Sequence, residues 1–212
     1  MAVRYYGGVG DVSAFVLAGG RSSRMGSDKA RLAIGDETFL SIALRNAQTI
    51  CPSPVIVGSA ARYGAFGNVV EDRFPGCGPL GGIHAALCAS STELNLILSV
   101  DLPMMTPDFL LWLVDRAVAG PELVTVPRWN GRCEPLCAVY RREVLPVVEQ
   151  ALQTGRYKVD QIFSETPTRF VTENEIQSAG FGEDIFRNVN TPEEYEWVKS
   201  HLIAAGTAEA KG

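Results

Sequence analysis

Two histidines in 212 residues leave little room for imidazole chemistry, and neither His84 nor His201 has a partner at metal-ligand spacing. No apolar run reaches the roughly 20 residues a membrane-spanning helix needs, and the opening MAVRYYGGVGD lacks a signal-peptide core. A cytoplasmic protein is the expectation. Basic residues are not in excess: 19 Lys and Arg against 24 Asp and Glu give a net charge of −5, which argues against a general nucleic-acid or membrane-surface binder. Any anion must therefore be held locally, within a loop. No Gly-Lys-Ser or Gly-Lys-Thr occurs, which argues against an ATPase-type P-loop. The five cysteines form no CxxC pair, as expected of reduced thiols. Cys133 and Cys137, four apart in an expected strand and so on one face, are the only pair close enough to suggest zinc; the other reading is buried core thiols. Internal repeats and low-complexity tracts are absent too.

What the chain has is enough apolar residue, 46%, for one globular domain, expected over residues 1–203 with a disordered tail at 204–212. Apolar, β-rich runs recur at Ser13–Leu17, Pro54–Val57, Asn68–Val70, Asn95–Val100, Leu123–Val126 and Leu136–Tyr140. Helical patterns fall between several of them, at Phe39–Gln48, Gly82–Ala89 and Pro107–Val118. This alternation predicts an α/β fold with right-handed crossovers and a mainly parallel sheet. From about Arg141 the pattern becomes helix, irregular segment, short strand and final helix, an elaboration of the same domain. Ligands of such sheets bind beyond the carboxyl ends of the strands. The loop after Leu17, Asp72 after Val70 and Asp101 after Val100 should therefore share one crevice.

The stretch LAGGRSSRMGSDK, from Leu17 to Lys29, stands out. Its glycines follow a strand and allow backbone N–H groups to approach a phosphate, while Arg21, Arg24 and Lys29 supply positive charge. Asp101 leaves the buried run LNLILSV just before Leu102-Pro103, where its carboxylate could hold magnesium or simply cap a turn. Asp72, flanked by Glu71 and Arg73, is either a second crevice carboxylate or a surface charge. Gly76 to Gly81 formally match GxGxxG, with Asp101 twenty residues further on, so a dinucleotide-dependent oxidoreductase is an alternative; Pro75 and Pro79 would stiffen such a loop. In FRNVNTPEE, Thr191, Pro192 and Glu194 predict a capped helix start. Asn188 and Asn190 alternate on the preceding strand and could reach a substrate or a metal-bound water. Arg156 and Lys158 could hold a second anion or be solvated. Glu134 before Pro135 reads as a polar contact or as an exposed strand residue.

In order and spacing, LAGGRSSRMGSDKA, EDRFPGCGPLGGI, SVDLP, EPLCAVY and NVNTPEEY resemble the molybdenum cofactor guanylyltransferases, over about Phe15 to Val198. The resemblance implies a Rossmann-like nucleotidyltransferase fold and transfer of GMP from GTP to the phosphate of molybdopterin, with release of pyrophosphate. It implies that Leu17, Ala18, Gly19, Gly20 and Asp72 contact the nucleotide, that Lys29 contacts its phosphates, and that Asp101 holds Mg2+. Asn188 and Asn190 would lie near the pterin phosphate and the metal, and transient contact with other cofactor-biosynthesis or acceptor proteins would follow. Arg24 and Lys29, with magnesium on Asp101, would offset charge on the leaving pyrophosphate. Gly19-Gly20, where cytidylyl-transferring relatives tend to show Ala-Gly, favours guanine. Where a family asparagine used for that base would align, this chain has Gly58-Ser59-Ala60. Cytidylyl transfer, or transfer to a sugar phosphate, is the alternative within the class.

Overall fold

A computed structural model describes residues 12–19 and 28–209, with backbone alone for 204–209. The strands are β1 (Val12–Leu17), β2 (Ala33–Ile34), β3 (Glu37–Thr38), β4 (Val55–Val57), β5 (Val69–Val70), β6 (Leu94–Ser99), β7 (Val124–Trp129), β8 (Arg132–Cys133), β9 (Cys137–Arg141) and β10 (Thr168–Val171). The helices are α1 (Phe39–Gln48), α2 (Ala60–Tyr63), α3 (Pro79–Ala89), α4 (Pro107–Val118), α5 (Leu145–Gln153), α6 (Asp160–Glu165), α7 (Glu173–Ser178) and α8 (Pro192–Glu209).

The main sheet runs β10-β7-β9-β6-β1-β4-β5, with β8 paired to β7. Four of its pairings are parallel: β1 with β4 and β6, β4 with β5, and β10 with β7. Strand β9 is inverted, antiparallel to both β6 and β7. The cause is local. Asn130 and Gly131 both have positive φ, 47° and 73°, so the chain doubles back from β7 into β8 through a two-residue turn of the kind Asn-Gly favours.

Alternation along each strand divides the core between the two faces. Ala14 and Val16 of β1 pack with Leu40 of α1 and with Phe109 and Leu113 of α4. Phe15 and Leu17 face the other way, toward Leu80 and Ile83 of α3, Val148 of α5 and Ile162 of α6. Helices thus cover both faces, as the alternating pattern predicts. Helices α1 and α4 have the predicted bounds, each begun by a threonine whose hydroxyl accepts a backbone N–H, Thr38 from Ser41 and Thr106 from Phe109.

Three readings need correction. Helix α3 starts at Pro79 rather than Gly82, because proline at the first helical position lacks only an N–H that would have no partner there. Cys133 and Cys137 do not share a strand: they end β8 and begin β9, and Pro135 in the turn between them cannot donate to a ladder. Cys137 is fully buried against Met105, and no three His, Cys, Asp or Glu side chains come together to hold a metal ion among the described residues. Residues Asn188–Asn190 pair with no strand, although Val189 points inward and both asparagines outward, as the alternation requires. The backbone of α8 is helical through Glu209.

Candidate active site

Strands β5, β4, β1 and β6 are mutually parallel and end on one edge of the sheet, so that Asp72, Gly58, Ala18 and Asp101 follow one another along it. The edge is anchored by hydrogen bonds from the N–H of Ala18 to the carbonyl of Val57 (3.0 Å), Gly58 to Val70 (2.9 Å) and Val100 to Leu17 (3.2 Å).

At the end of β6, the Asp101 N–H donates to Ser99 Oγ (3.1 Å) and its carbonyl accepts from Val189 N–H (3.2 Å). The second bond draws the chain before α8 onto the sheet edge and sets Asn190 beside Asp101. Helix α8 fixes that segment further. Glu194 accepts from the N–H groups of Asn190 and Thr191, at 2.6 and 3.0 Å, while its own N–H donates to Thr191 Oγ1. This is the helix start the sequence predicts.

Lys29 completes the cluster. Its Nζ donates to Asp101 Oδ2 at 3.2 Å and to Asn190 Oδ1 at 2.8 Å, holding an ammonium between two side-chain oxygens. The Lys29 side chain is 15% exposed and that of Asp101 35%, so the pair is open to a ligand on one side. Three residues singled out by sequence, separated by up to 161 positions, therefore meet at one point.

The basic loop enters from this cluster. Gly20, Arg21 and Arg24 lie outside the described residues, but both flanks of the loop are placed. The Tyr63 hydroxyl, buried, lies 3.0 Å from the Ala18 carbonyl and 2.9 Å from each Asp28 carboxylate oxygen. Burial, then the Asp28 carboxylate, pushes that phenol up to about 12, so it stays protonated as a donor. Sequence reasoning missed Tyr63, which sits in the unremarkable stretch SAARYG. The tyrosine also crowds Gly58: a Cβ there would lie 3.0 Å from the Tyr63 ring, so a larger residue at this one position would require the ring to shift.

The other candidates are placed apart from the cluster. Asp72 stands at the end of β5, where Oδ1 accepts from the Phe74 N–H at 2.7 Å; a Cβ on Gly81 would come within 2.6 Å of Oδ2. Gly81 is thus what lets the carboxylate lie against the first turn of α3. Asn188 is exposed and makes no hydrogen bond to Lys29 or Asp101. Arg156 is engaged with Glu165 and Thr154, and Lys158 is exposed beyond it. His84 is buried against Phe74, its pKa lowered by that burial, and His201 stacks on Trp197 in α8; neither joins the cluster.

Among the described residues, Glu134 is the carboxylate most altered by its surroundings. It lies in the turn between β8 and β9; burial pushes it up to about 7, opposed by Arg132 and reinforced by Asp160. A raised carboxylate binds protons in the folded state that the unfolded chain has already lost, so its stability contribution falls as pH rises from about 4.5 to about 7. Glu134→Gln should remove that decline. Partial exposure reduces the ~3 kcal/mol of the shift to an expected gain of about 1 kcal/mol. Urea unfolding should show this gain at pH 8 and none at pH 4, whereas an equal offset at both pH values would contradict the assignment.

Comparison with known proteins fits this geometry. The family described as the MobA-like NTP transferase domain matches residues 14–169, well over half of the chain. The chain is 34% identical over 183 residues to a probable molybdenum cofactor guanylyltransferase of Carboxydothermus hydrogenoformans, covering 85% of this chain and 91% of that protein. A protein of the same description from Pelotomaculum thermopropionicum is 32% identical over 191 residues, covering 89% of this chain and 91% of its own. The fold is similar to the crystal structure of molybdopterin-guanine dinucleotide biosynthesis protein A from Archaeoglobus fulgidus, with a TM-score of 0.80 at 20% identity, over 91% of this chain and 99% of that one. These likenesses set aside the oxidoreductase reading of Gly76–Gly81. The chain belongs to the MobA-like NTP transferase family, as a nucleotidyltransferase related to the molybdenum cofactor guanylyltransferases.

Proposed function

We propose that this protein transfers GMP from GTP to the terminal phosphate of molybdopterin, with Mg2+, forming the guanine dinucleotide cofactor and releasing pyrophosphate. The observation that carries the proposal is the Lys29 ammonium held between Asp101 and Asn190 at the strand edge beside Gly19. Two hard oxygens already converge on a cation there, a donor set that suits magnesium, which is commonly bound by one or two carboxylates together with substrate phosphates. Asp101 would hold the metal with Asn190 beside it. When bound, it would offset phosphate charge and steady the leaving pyrophosphate.

The chain's own residues supply the rest. Leu17, Ala18, Gly19 and Gly20 receive the nucleotide at the end of β1, with Asp72 further along the edge. Lys29, freed from its carboxylate, turns to the phosphates together with Arg24 and offsets the charge that develops there. An acceptor phosphate oxygen attacks the α-phosphorus in line; the new P–O bond forms as the bond to the β-phosphate oxygen breaks. The acceptor oxygen is already anionic, so no general base is needed, in keeping with two histidines set apart from the cluster. Arg156, Lys158, Asn188 and Asn190 are assigned to the acceptor side, and residues 1–203 to the catalytic unit. Five free cysteines suit the reducing cytoplasm.

The test is pyrophosphate release from GTP, CTP, UTP and ATP in the presence of molybdopterin, with and without Mg2+. GTP alone should support rapid, magnesium-dependent release. Preference for CTP would move the chain to the cytidylyl-transferring relatives, and release without molybdopterin would overturn the acceptor.

A further inference from the structure

The reaction needs a donor site and an acceptor site on either side of Asp101, and the strand order divides them. The nucleotide loop leaves β1, and β4 and β5 extend the edge on that side; on the other side of β6 lies β9. Because β9 is inverted, it is the turn before it, Glu134–Leu136, that sits at this edge. The Ser99 N–H donates to the Leu136 carbonyl at 2.7 Å, and the Glu134 N–H donates to Pro127 at the end of β7, 2.9 Å away. Adjacent strands lie about 4.8 Å apart, so the turn begins one strand spacing from the strand that delivers Asp101.

Glu134 brings to this edge a partly buried carboxylate that accepts no hydrogen bond from any described residue. Arg132, on β8, acts on it only at a distance, and Asp160, at the start of α6, adds a like charge. The chain thus keeps a poorly solvated acceptor pair without a partner at the position where the second substrate must lie. Such uncompensated burial is a mark of a binding group. Its chemistry is defined: two carboxylate oxygens side by side accept two parallel N–H donors. The heterocycle of molybdopterin, a 2-amino-4-oxopyrimidine fused ring, offers such a pair from N3–H and the 2-amino group.

We propose that Glu134 determines acceptor specificity by accepting hydrogen bonds from the 2-amino and N3–H donors of the pterin ring. This rests on the molybdopterin-acceptor reading above. The assignment makes Glu134 a binding residue with no part in phosphoryl chemistry, so its removal raises the KM for molybdopterin while leaving the KM for GTP and kcat close to wild type.

The test uses the full-length enzyme and two probes, pterin (2-amino-4-oxopteridine) and lumazine, its 2,4-dioxo counterpart, which turns an acceptor toward the carboxylate in place of the 2-amino donor. Wild-type enzyme should bind pterin at least ~10-fold more tightly than lumazine, since a site built for donors rejects an analogue lacking one. Glu134→Gln, which offers one donor and one acceptor, should reduce that preference to under ~3-fold and raise the KM for molybdopterin by ~10-fold or more, with Glu134→Ala as a second variant. Retained preference in both variants, with wild-type turnover intact, would overturn the Glu134 assignment alone. Absence of wild-type turnover with GTP and molybdopterin would overturn the underlying reading as well.

Discussion

Asp101→Asn should lower magnesium-dependent pyrophosphate release by about 10^3-fold, an effect of ~4 kcal/mol on the barrier. The substitution is isosteric, and its amide oxygen can still accept from Lys29. What it removes is the negative charge that would favour a divalent cation. The fold should not register the change, because the backbone bonds of Asp101 to Ser99 and Val189 do not involve its side chain. The lost ion pair with Lys29 is partly exposed and is worth at most about 1 kcal/mol. Circular dichroism and thermal unfolding should therefore match wild type within a few degrees, as ~1 kcal/mol allows in a chain of this size. Release within ~10-fold of wild type would remove Asp101 from the metal site.

Lys29→Ala should have the second-largest effect, a loss of about 10^2-fold in kcat/KM, in line with removal of one charged donor from a developing oxyanion. The geometry separates two contributions. Lys29 now stands between Asp101 and Asn190, where a divalent cation would compete with its ammonium. Removing it should therefore leave the binding of Mn2+ alone, read by electron paramagnetic resonance, as tight as in wild type or tighter, while GTP turnover collapses. Lys29 would be reduced to a structural ion pair if stability fell while turnover persisted.

Much of the architecture is legible in the chain because local signals agree with the tertiary outcome. Helices α1 and α4 carry an apolar stripe behind a threonine cap, and β6 is a buried run ended by a polar residue, so their limits follow from a few neighbouring residues. The inversion of β9 was also written locally, in Asn130-Gly131, but a reading that takes Leu123–Val126 and Leu136–Tyr140 as successive strands of a mainly parallel sheet passes over the hairpin between them. Other features had no local signal. Tyr63 matters because of Ala18 and Asp28, 45 and 35 positions away, and the state of Glu134 depends first on its burial by the fold, then on Arg132 and on Asp160 in other elements. The cluster at the strand edge was legible in part, since Asp101 lies two residues past the end of β6, Asn190 two before the start of α8, and Lys29 opens a short 3-10 turn, Lys29–Arg31. Only the fold could separate them from Asp72 and Arg156, which share their chemistry without sharing their location.

The phenol of Tyr63 closes a ring: it is anchored to both stems of the segment between Ala18 and Asp28, so the two stems keep their spacing whatever is inserted between them. Lengthening a loop whose ends are already fixed adds only about 0.6 kcal/mol per doubling of its length. A change in the length of the segment is consequently cheap for the fold even where its glycines and arginines are fixed by the ligand, and the lysine that follows it stays in register with the carboxylate on β6.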